Sequence, residues 1–254
     1  MRLKWLFEAM AAAVLFVAPA YADTSGSPPG APCLKNNGNP CNGNNGNLGE
    51  QGNANHEKVK IDKKPPPIDL AMPAVSGRGA YIDQIGDSNE ASIVQTAPDA
   101  YAKIVQQGSG NDADVSQMGS GTAYAAATQS GDSNFARLQQ SGTGQNVVYA
   151  TQEGSGNWLW SNQLALGAVY NGARLTQSGD NNDMLLYQAG SDNLAVLTQQ
   201  GDDNGMTAIQ LGDGNRLTWL QQGDNLTDLE ITQTGGAQQG GQLLITQTGV
   251  GNGN

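Results

Sequence analysis

Most of the chain after residue 80 alternates between polar and apolar side chains in segments of five or six residues. In residues 194–199, Ala195, Leu197 and Gln199 would lie on one face of a strand, and Leu194, Val196 and Thr198 on the other. A period of two is the period of a β-strand. Many segments follow a Gly-x-x-Asn motif, which favours a turn because Gly accepts a positive φ angle and Asn tolerates one. The pattern therefore predicts an all-β chain of short strands and turns.

Glutamine closes these segments at a nearly constant spacing. Of the fourteen intervals between successive glutamines of this series, nine are 11 residues long, three are 12 and two are 14. Self-similarity at a short fixed period indicates a stacked repeat architecture. The glutamines of the series are Gln84, Gln95, Gln106, Gln117, Gln129, Gln140, Gln152, Gln163, Gln177, Gln188, Gln199, Gln210, Gln221, Gln233 and Gln247.

Two strand–turn units together make one repeat. In the first half of the series, every second unit carries an asparagine five residues after its glutamine, whereas those at Gln95, Gln117, Gln140 and Gln163 lack it. Alternate units therefore occupy different environments. We predict a β-solenoid of about seven two-strand rungs with a 22-residue period and two facing parallel sheets, over residues 81–254. The 14-residue intervals predict looped-out residues near 169–172 and 237–241.

Stacking in register would place each glutamine above an equivalent glutamine. Its amide could then donate to the carbonyl of the neighbouring rung, as in the side-chain ladders of cross-β stacks. A buried amide without a partner costs about 1–3 kcal/mol, so such a ladder would hold the register. The asparagines expected to form a similar column at the turns are Asn89, Asn111, Asn134, Asn157, Asn182, Asn193, Asn204 and Asn215.

The residues before the repeats read as an export segment. Arg2 and Lys4 precede an apolar run at 9–18, and Ala20-Tyr21-Ala22 is a small-x-small motif, so residues 1–22 are predicted to be a secretory signal peptide. The apolar run is too short to span a bilayer, and no membrane span is expected. Residues 23–80 are rich in Gly, Asn and Pro, with a lysine cluster at 58–64 and three prolines at 65–67. We predict a disordered leader and an extended tether there.

The two cysteines, Cys33 and Cys41, both lie in this leader. In an oxidising compartment a short-loop disulfide between them is the favoured interpretation. A metal site would need further ligands, and the only histidine of the chain, His56, is a weak candidate.

Charge and composition exclude several functions. The net charge is −11, and only Lys103, Arg137, Arg174 and Arg216 are basic after residue 79. Because nucleic-acid binding needs a basic surface, no nucleic-acid partner is expected. Acidic residues occur singly at turns and the repeats contain no His or Cys, so the sequence predicts no enzyme and no catalytic, cofactor or metal site.

The repeat unit resembles a known family. The stretch Gln-Ser-Gly-Asp-Ser-Asn-Phe-Ala-Arg-Leu-Gln-Gln at 129–140 is similar to the curlin repeat of bacterial curli fibres, and the likeness extends over residues 81–254. The resemblance implies an extracellular functional amyloid of stacked solenoid subunits, with roles in biofilm and adhesion. It also implies a Gram-negative source, a periplasmic chaperone, an outer-membrane secretion pore and other curlin subunits as partners. Major subunit and nucleator both remain open.

A Gly-Asp pair recurs at the turns, with Asp87, Asp132, Asp180, Asp202, Asp213 and Asp224. One interpretation is turn chemistry and solubility. The other is that these stacked carboxylates act as gatekeepers, which repel one another and slow assembly.

Two functions fit this picture. A solenoid exposes unpaired strand edges at its ends, and no cap follows the last repeat in the sequence, so copies are expected to join end to end. The alternative is an extracellular adhesin that does not polymerise. Its binding surface would be formed by the outward aromatic residues Phe135, Trp158, Trp160 and Tyr187.

Overall fold

The computed structural model describes residues 58–63, 68, 70–71, 73–236 and 241–249. These residues form sixteen strands and no helix. The predicted signal peptide, the two cysteines, His56 and residues 237–240 lie outside the described residues. The strands are β1 (Lys58–Asp62), β2 (Arg78–Ile85), β3 (Glu90–Gln95), β4 (Asp99–Gln107), β5 (Asp112–Gln117), β6 (Thr122–Ser130), β7 (Phe135–Gly142), β8 (Asn146–Glu153), β9 (Trp158–Ala165), β10 (Asn171–Ser178), β11 (Asp183–Gly190), β12 (Leu194–Gln200), β13 (Gly205–Leu211), β14 (Arg216–Gln222), β15 (Leu229–Thr234) and β16 (Gln242–Thr248).

The strands form two sheets that the chain visits in turn. The long sheet has nine strands in the order β1-β16-β14-β12-β10-β8-β6-β4-β2, and the short sheet has seven in the order β15-β13-β11-β9-β7-β5-β3. From β2 onward, each strand pairs in parallel with the next strand but one. Two successive strands therefore make one rung, and the prediction of about seven rungs in two parallel sheets is confirmed. None of the described residues belongs to a helix with the length and apolarity that crossing a membrane requires.

The core is a set of columns that run along the stack. One column of the long sheet carries Ile104, Ala127, Ala150, Leu175, Leu197, Trp219 and Ile245 in successive strands, all buried. The facing column of the short sheet carries Val115, Leu138, Ser161, Leu186 and Ala208. Apolar and glutamine positions alternate with outward residues, as a period of two requires.

One predicted loop is shifted. The long interval after Gln163 was expected to loop out at 169–172, but the loop lies between β9 and β10 at 166–170. Gly172 is part of β10 because Asn171 begins that strand in register with Asn146. The extra residues are thus accommodated before the turn asparagine.

The main difference from the sequence prediction is β1. Residues 58–62 were assigned to the tether, yet they form a strand that pairs antiparallel with β16. Val59 and Ile61 pack against the core, whereas Lys58 and Lys60 are exposed. The expectation of an uncapped C-terminal end is therefore wrong for the long sheet. Five residues of Lys-Val-Lys-Ile-Asp give only a weak strand signal, and the unpaired edge of β16 provides the template that the sequence does not reveal.

A further part of the tether also contacts the stack. The side chain of Leu70 is buried, and the Tyr170 hydroxyl donates a hydrogen bond to the Leu70 carbonyl. Leu70 and Ala71 lie over Tyr149 and Arg174 of the long sheet. Leu70 is thus held on the long sheet between the two ends of the stack.

Candidate functional site: the amide columns and the ends of the stack

The glutamines form two unbroken columns, one in each sheet. In both columns the Nε2 of each glutamine donates to the Oε1 of the glutamine in the next rung, at 2.7 to 2.9 Å. All thirteen donations point from the N-terminal toward the C-terminal end. Every second glutamine of the series, from Gln84 to Gln247, lies in the long sheet, and the others lie in the short sheet. The columns therefore have a direction.

From Gln95 onward, the glutamines also tie the two sheets together. Gln106 of β4 donates to the Glu90 carbonyl of β3 at 2.8 Å, and Gln117 of β5 donates to the Tyr101 carbonyl of β4 at 3.0 Å. The side chain must reach both the next rung and the facing strand, which suits the length of glutamine. Because these amides are almost fully buried, the paired arrangement removes a desolvation cost that each would otherwise carry.

Asparagine forms columns at both turns. At the turn from long to short sheet, Asn111 donates from Nδ2 to the Asn89 Oδ1 at 3.2 Å and to the Gly131 carbonyl at 2.7 Å. The same pattern continues through Asn134, Asn157, Asn182 and Asn204. The column ends at Leu226, whose backbone N–H donates to the Asn204 Oδ1 at 3.0 Å. This column too is directional.

The second asparagine column contains two residues that sequence reasoning missed. Asn146 and Asn171 are buried and stand in register with Asn193 and Asn215. They follow their glutamines by six and eight residues instead of five, so a search at fixed spacing passes over them. A search that allowed insertions in the turn would have found both.

The column begins abruptly at Asn146. The preceding strands carry Ala123 and Ala100 at the same register position, both buried. The Asn146 Oδ1 is buried and has no hydrogen-bond partner among the described residues, while its Nδ2 donates to the Ser141 carbonyl at 2.9 Å. The change from alanine to asparagine thus leaves one acceptor unsatisfied at the boundary.

The turn aspartates bind the preceding rung. The Oδ1 of Asp132 accepts from the Ser109 N–H at 2.8 Å, and the Oδ1 of Asp180 from the Ser155 N–H at 2.7 Å. Asp202, Asp213 and Asp224 accept in the same way from the rung before each of them. Asp87 lies in the first rung, so no earlier rung of the described chain offers it a donor. This geometry gives the turn interpretation a physical basis, and gatekeeping stays a prediction.

Glycine is required at the turn next to these aspartates. Gly131 has φ +114°, and a Cβ there would overlap the Gly154 carbonyl of the next rung. The turns stack so closely that only a residue without a side chain fits.

The family model of the curlin associated repeat matches residues 171–201. This stretch holds β10, β11 and β12, with Gln177, Gln188 and Gln199 near the strand ends and Asn182 and Asn193 at the turns. The chain therefore contains a curlin repeat. Comparisons with curated proteins and with solved structures gave no match. Outside the matched stretch, the same glutamine columns continue through every rung of the curlin-repeat stack.

The outer face of the short sheet carries all four aromatic residues named from the sequence, and three of them contact one another. The rings of Phe135 and Trp158 stack at 6.1 Å between centroids, and Trp158 meets Trp160 edge to face at 6.4 Å. The guanidinium carbon of Arg137 lies 5.5 Å from the centroid of the Phe135 ring. Tyr187 lies apart, in register with Asn162 and Ile209.

A second aromatic group lies on the outer face of the long sheet and was not anticipated. Tyr101 stacks on Tyr124 at 5.5 Å, and Tyr124 contacts Tyr149 at 5.3 Å. Partial burial raises the pKa of Tyr124 and of Tyr149 above the ordinary value. In the sequence, Tyr101 and Tyr124 both occur five residues before a column glutamine, so a comparison of outward positions would have shown the pair.

One acidic side chain on the short sheet is partly desolvated. Burial raises the pKa of Asp183 above its usual range, and the nearby Asp228 raises it further. Asp183 stands in register between Trp158 and Gly205. No group of three or more His, Cys, Asp or Glu side chains suited to a metal ion occurs in the described part of the chain.

The two ends of the curlin-repeat stack differ. At the N-terminal end, formed by β2 and β3, no further strand of the described chain pairs with either outer edge. Ile82 stands in the core column above the fully buried Ile104 but is 45% exposed, and Val94 on the same end is 52% exposed. At the C-terminal end, β15 is an open edge of the short sheet, whereas β1 covers β16.

Proposed function

We propose that this curlin-repeat protein is a structural subunit that joins end to end with copies of itself and with other curlin subunits. The product is an extracellular, amyloid-like fibre of the curli type that serves biofilm matrix and cell adhesion. The observation that carries the proposal is the bare N-terminal end, where the core column and both sheets stop without a cap in the described chain. Unpaired strand edges of this kind are templates for another chain.

The direction of the amide columns supports addition in register. Every glutamine donates toward the C-terminal end, so the first members, Gln84 and Gln95, present acceptors to any rung placed before them. A second copy that presented its last rung there would continue both columns and cover Ile82. Burial of apolar surface and continuation of the hydrogen bonds then favour the same arrangement.

The export route is part of the same proposal. Residues 1–22 would be removed as a signal peptide, and the leader would guide the chain through an outer-membrane pore with help from a periplasmic chaperone. The basis is the order of residues in the leader together with the curlin repeat. The role proposed is structural and not enzymatic.

Fibre formation is tested with purified residues 23–254 at tens of micromolar, followed by thioflavin fluorescence and electron microscopy. A chain that stays monomeric and thioflavin-negative for days would refute polymerisation. The role of the N-terminal end is tested with Ile82→Lys, which places a charge on a side chain already half exposed in the free chain. We expect it to slow fibre growth, while the control Thr218→Lys on an outer face leaves growth unchanged.

Gatekeeping is tested by replacing Asp180, Asp202 and Asp224 with asparagine. Asparagine keeps an Oδ1 acceptor for the turn hydrogen bonds and removes three charges from one column. We expect a shorter lag, with a difference that shrinks as salt screens the carboxylates of the native chain. An unchanged lag at low salt would leave turn geometry as the whole role of these residues.

The alternative function is an adhesin that binds through the outer face without polymerising. The stack of Phe135, Trp158 and Trp160 on the short sheet favours it, although such a surface would equally serve contacts between filaments. Electron microscopy of the secreted material distinguishes the two, since an adhesin would remain as single particles.

A further inference from the structure

We propose that β1 is a removable cap, which in the free chain occupies the edge of β16 that the β2 strand of a second copy takes in the fibre. The inference rests on the proposed end-to-end assembly and adds to it a specific interface and a control on its formation. It follows from the position, the orientation, the side chains and the connection of β1.

The position of β1 is that of an incoming strand. Apart from β1, each strand of the long sheet pairs in parallel, and the column positions repeat from β14 to β16 as Leu217 to Leu243 and Gln221 to Gln247. The next parallel strand in this series would present two apolar residues, followed by a glutamine, to the core. β2 carries that pattern with Ala80, Ile82 and Gln84.

β1 fits the same edge but cannot extend the stack. It runs antiparallel, with Val59 opposite Gln247 and Ile61 opposite Ile245. Its apolar side chains cover the end of the core, yet Val59 has no amide with which to continue the glutamine column. An antiparallel strand also reverses the direction of the edge that it offers. β1 is thus a terminator of the sheet.

The outward side chains of β1 protect the edge. Lys60 is exposed on the strand, and Lys63 directly follows it. Lysines on an outer strand are a common means of preventing unwanted edge-to-edge pairing. In a chain with a net charge of −11, this short basic strand is the exception, and it lies on the end where growth would otherwise occur.

The count of strands shows that β1 must leave before a second copy can dock. With β1 in place the long sheet has nine strands and the short sheet seven. At about 4.8 Å per strand, the long sheet then exceeds the short sheet by about 10 Å. Without β1 the difference falls to one strand, which allows a second copy to approach both sheet edges more closely.

The connection holds β1 near its site without fixing it there. Fifteen residues separate Asp62 from Arg78, at the opposite end of the stack. Seven strands of the long sheet lie between β1 and β2, so the two strands are eight spacings or about 38 Å apart, and an extended segment of fifteen residues reaches about 50 Å. Leu70 is buried on the stack midway. The cap is therefore kept at a high local concentration, while its loss leaves the solenoid and its columns intact.

Two variants with opposite effects test the proposal. Val59→Asp with Ile61→Asp makes the inward face of β1 polar and should release it. Because growth at this end is limited by the fraction of chains with a free edge, we expect elongation on sonicated fibre seeds to rise by roughly tenfold or more. The control Thr128→Asp with Thr198→Asp adds the same two charges to outward positions of the long sheet away from β1, and it should leave elongation within about twofold of the native rate.

The second variant locks the cap. Lys60→Cys and Thr246→Cys face each other across β1 and β16 on the outer side, in a Cys33→Ser, Cys41→Ser background. The oxidised chain should stop growth after at most one addition per seed, and reduction should restore it. Thr176→Cys with Thr198→Cys, a registered outward pair in β10 and β12, is the control staple and should leave growth unaffected.

The outcomes separate this proposal from the proposed function. If native fibres grow and neither the release nor the lock of β1 changes elongation, the proposal of a removable cap is wrong, and the proposal of end-to-end assembly stands. If native fibres grow, the released variant elongates faster and the locked variant stops, both proposals are supported. If no variant forms fibres although far-UV circular dichroism shows that each is folded, both are overturned. Hydrogen exchange gives a further check, since release of β1 should expose the amides of β16 in the monomer while those of β14 remain protected.

Discussion

The glutamine columns predict that the same substitution costs much more inside the stack than at its end. Gln177 is fully buried. Its Nε2 donates to the Gln199 Oε1 at 2.9 Å and to the carbonyls of Trp158 and Asn182, and its Oε1 accepts from Gln152 at 2.9 Å. Gln177→Leu keeps the size of the side chain and removes all four hydrogen bonds.

The magnitude follows from the groups left behind. The Gln199 Oε1 loses the Gln177 donor, and the Gln152 amide loses one acceptor, both within a dry column. At about 1–3 kcal/mol for each buried group that loses its partner, we expect a loss of roughly 2–5 kcal/mol in the free energy of unfolding. That is a large share of the ~5–15 kcal/mol that is typical of a folded domain.

Gln84→Leu is the matched control at the open end of the same column. Gln84 is exposed and makes one amide bond, to Gln106 at 2.7 Å. Because water can replace it, we expect a loss below about 1 kcal/mol. Both variants are measured as fresh monomer by urea unfolding, with tryptophan fluorescence reporting on the fully buried Trp219. Equal losses at the two positions, or a loss below about 0.5 kcal/mol at Gln177, would refute the claim that the buried ladder stabilises the fold.

Three other predictions concern single positions. Ser161 is buried with no partner for its hydroxyl among the described residues, so Ser161→Ala should raise the free energy of unfolding by about 1 kcal/mol, and a clear loss in urea unfolding would contradict this. Asp183 has a raised pKa, so its charge opposes folding above that pKa. Asp183→Asn should therefore stabilise the chain at neutral pH. The gain in thermal midpoint should vanish as pH falls toward about 4, where the carboxyl of the native chain becomes protonated. Gly131→Ala should lower stability several times more than Gly77→Ala, because both glycines have positive φ but only at Gly131 would a Cβ meet a neighbouring carbonyl. At Gly77 we expect a loss of about 1–2 kcal/mol. Similar losses at both sites would show that the close stacking of turns does not set the cost.

Much of the solenoid could be predicted because its information is local and repeated. A single alternation such as that of residues 194–199 indicates one strand, and fifteen glutamines at nearly equal spacing fix the order and the register of all the others. That Leu197 and Gln199 share a face follows from the period of two alone. Insertions weaken this logic, and for that reason Asn146 and Asn171 were missed although they occupy the same column as Asn193.

The sequence by itself thus determined the repeat, the two sheets and the residues of their core, since stacked identical units satisfy the same hydrogen bonds in every rung. Only the tertiary structure decided which strand edges are covered at the two ends of the stack. The pairing of Lys58–Asp62 with β16 joins residues far apart in the chain and depends on an exposed edge that exists only once the solenoid has formed. The same holds for Leu70 on the face of the stack and for the contrast between a bare N-terminal end and a C-terminal end that is covered on the long sheet. A periodic pattern describes what each rung shares with its neighbours, whereas the ends differ because each lacks a neighbour on one side.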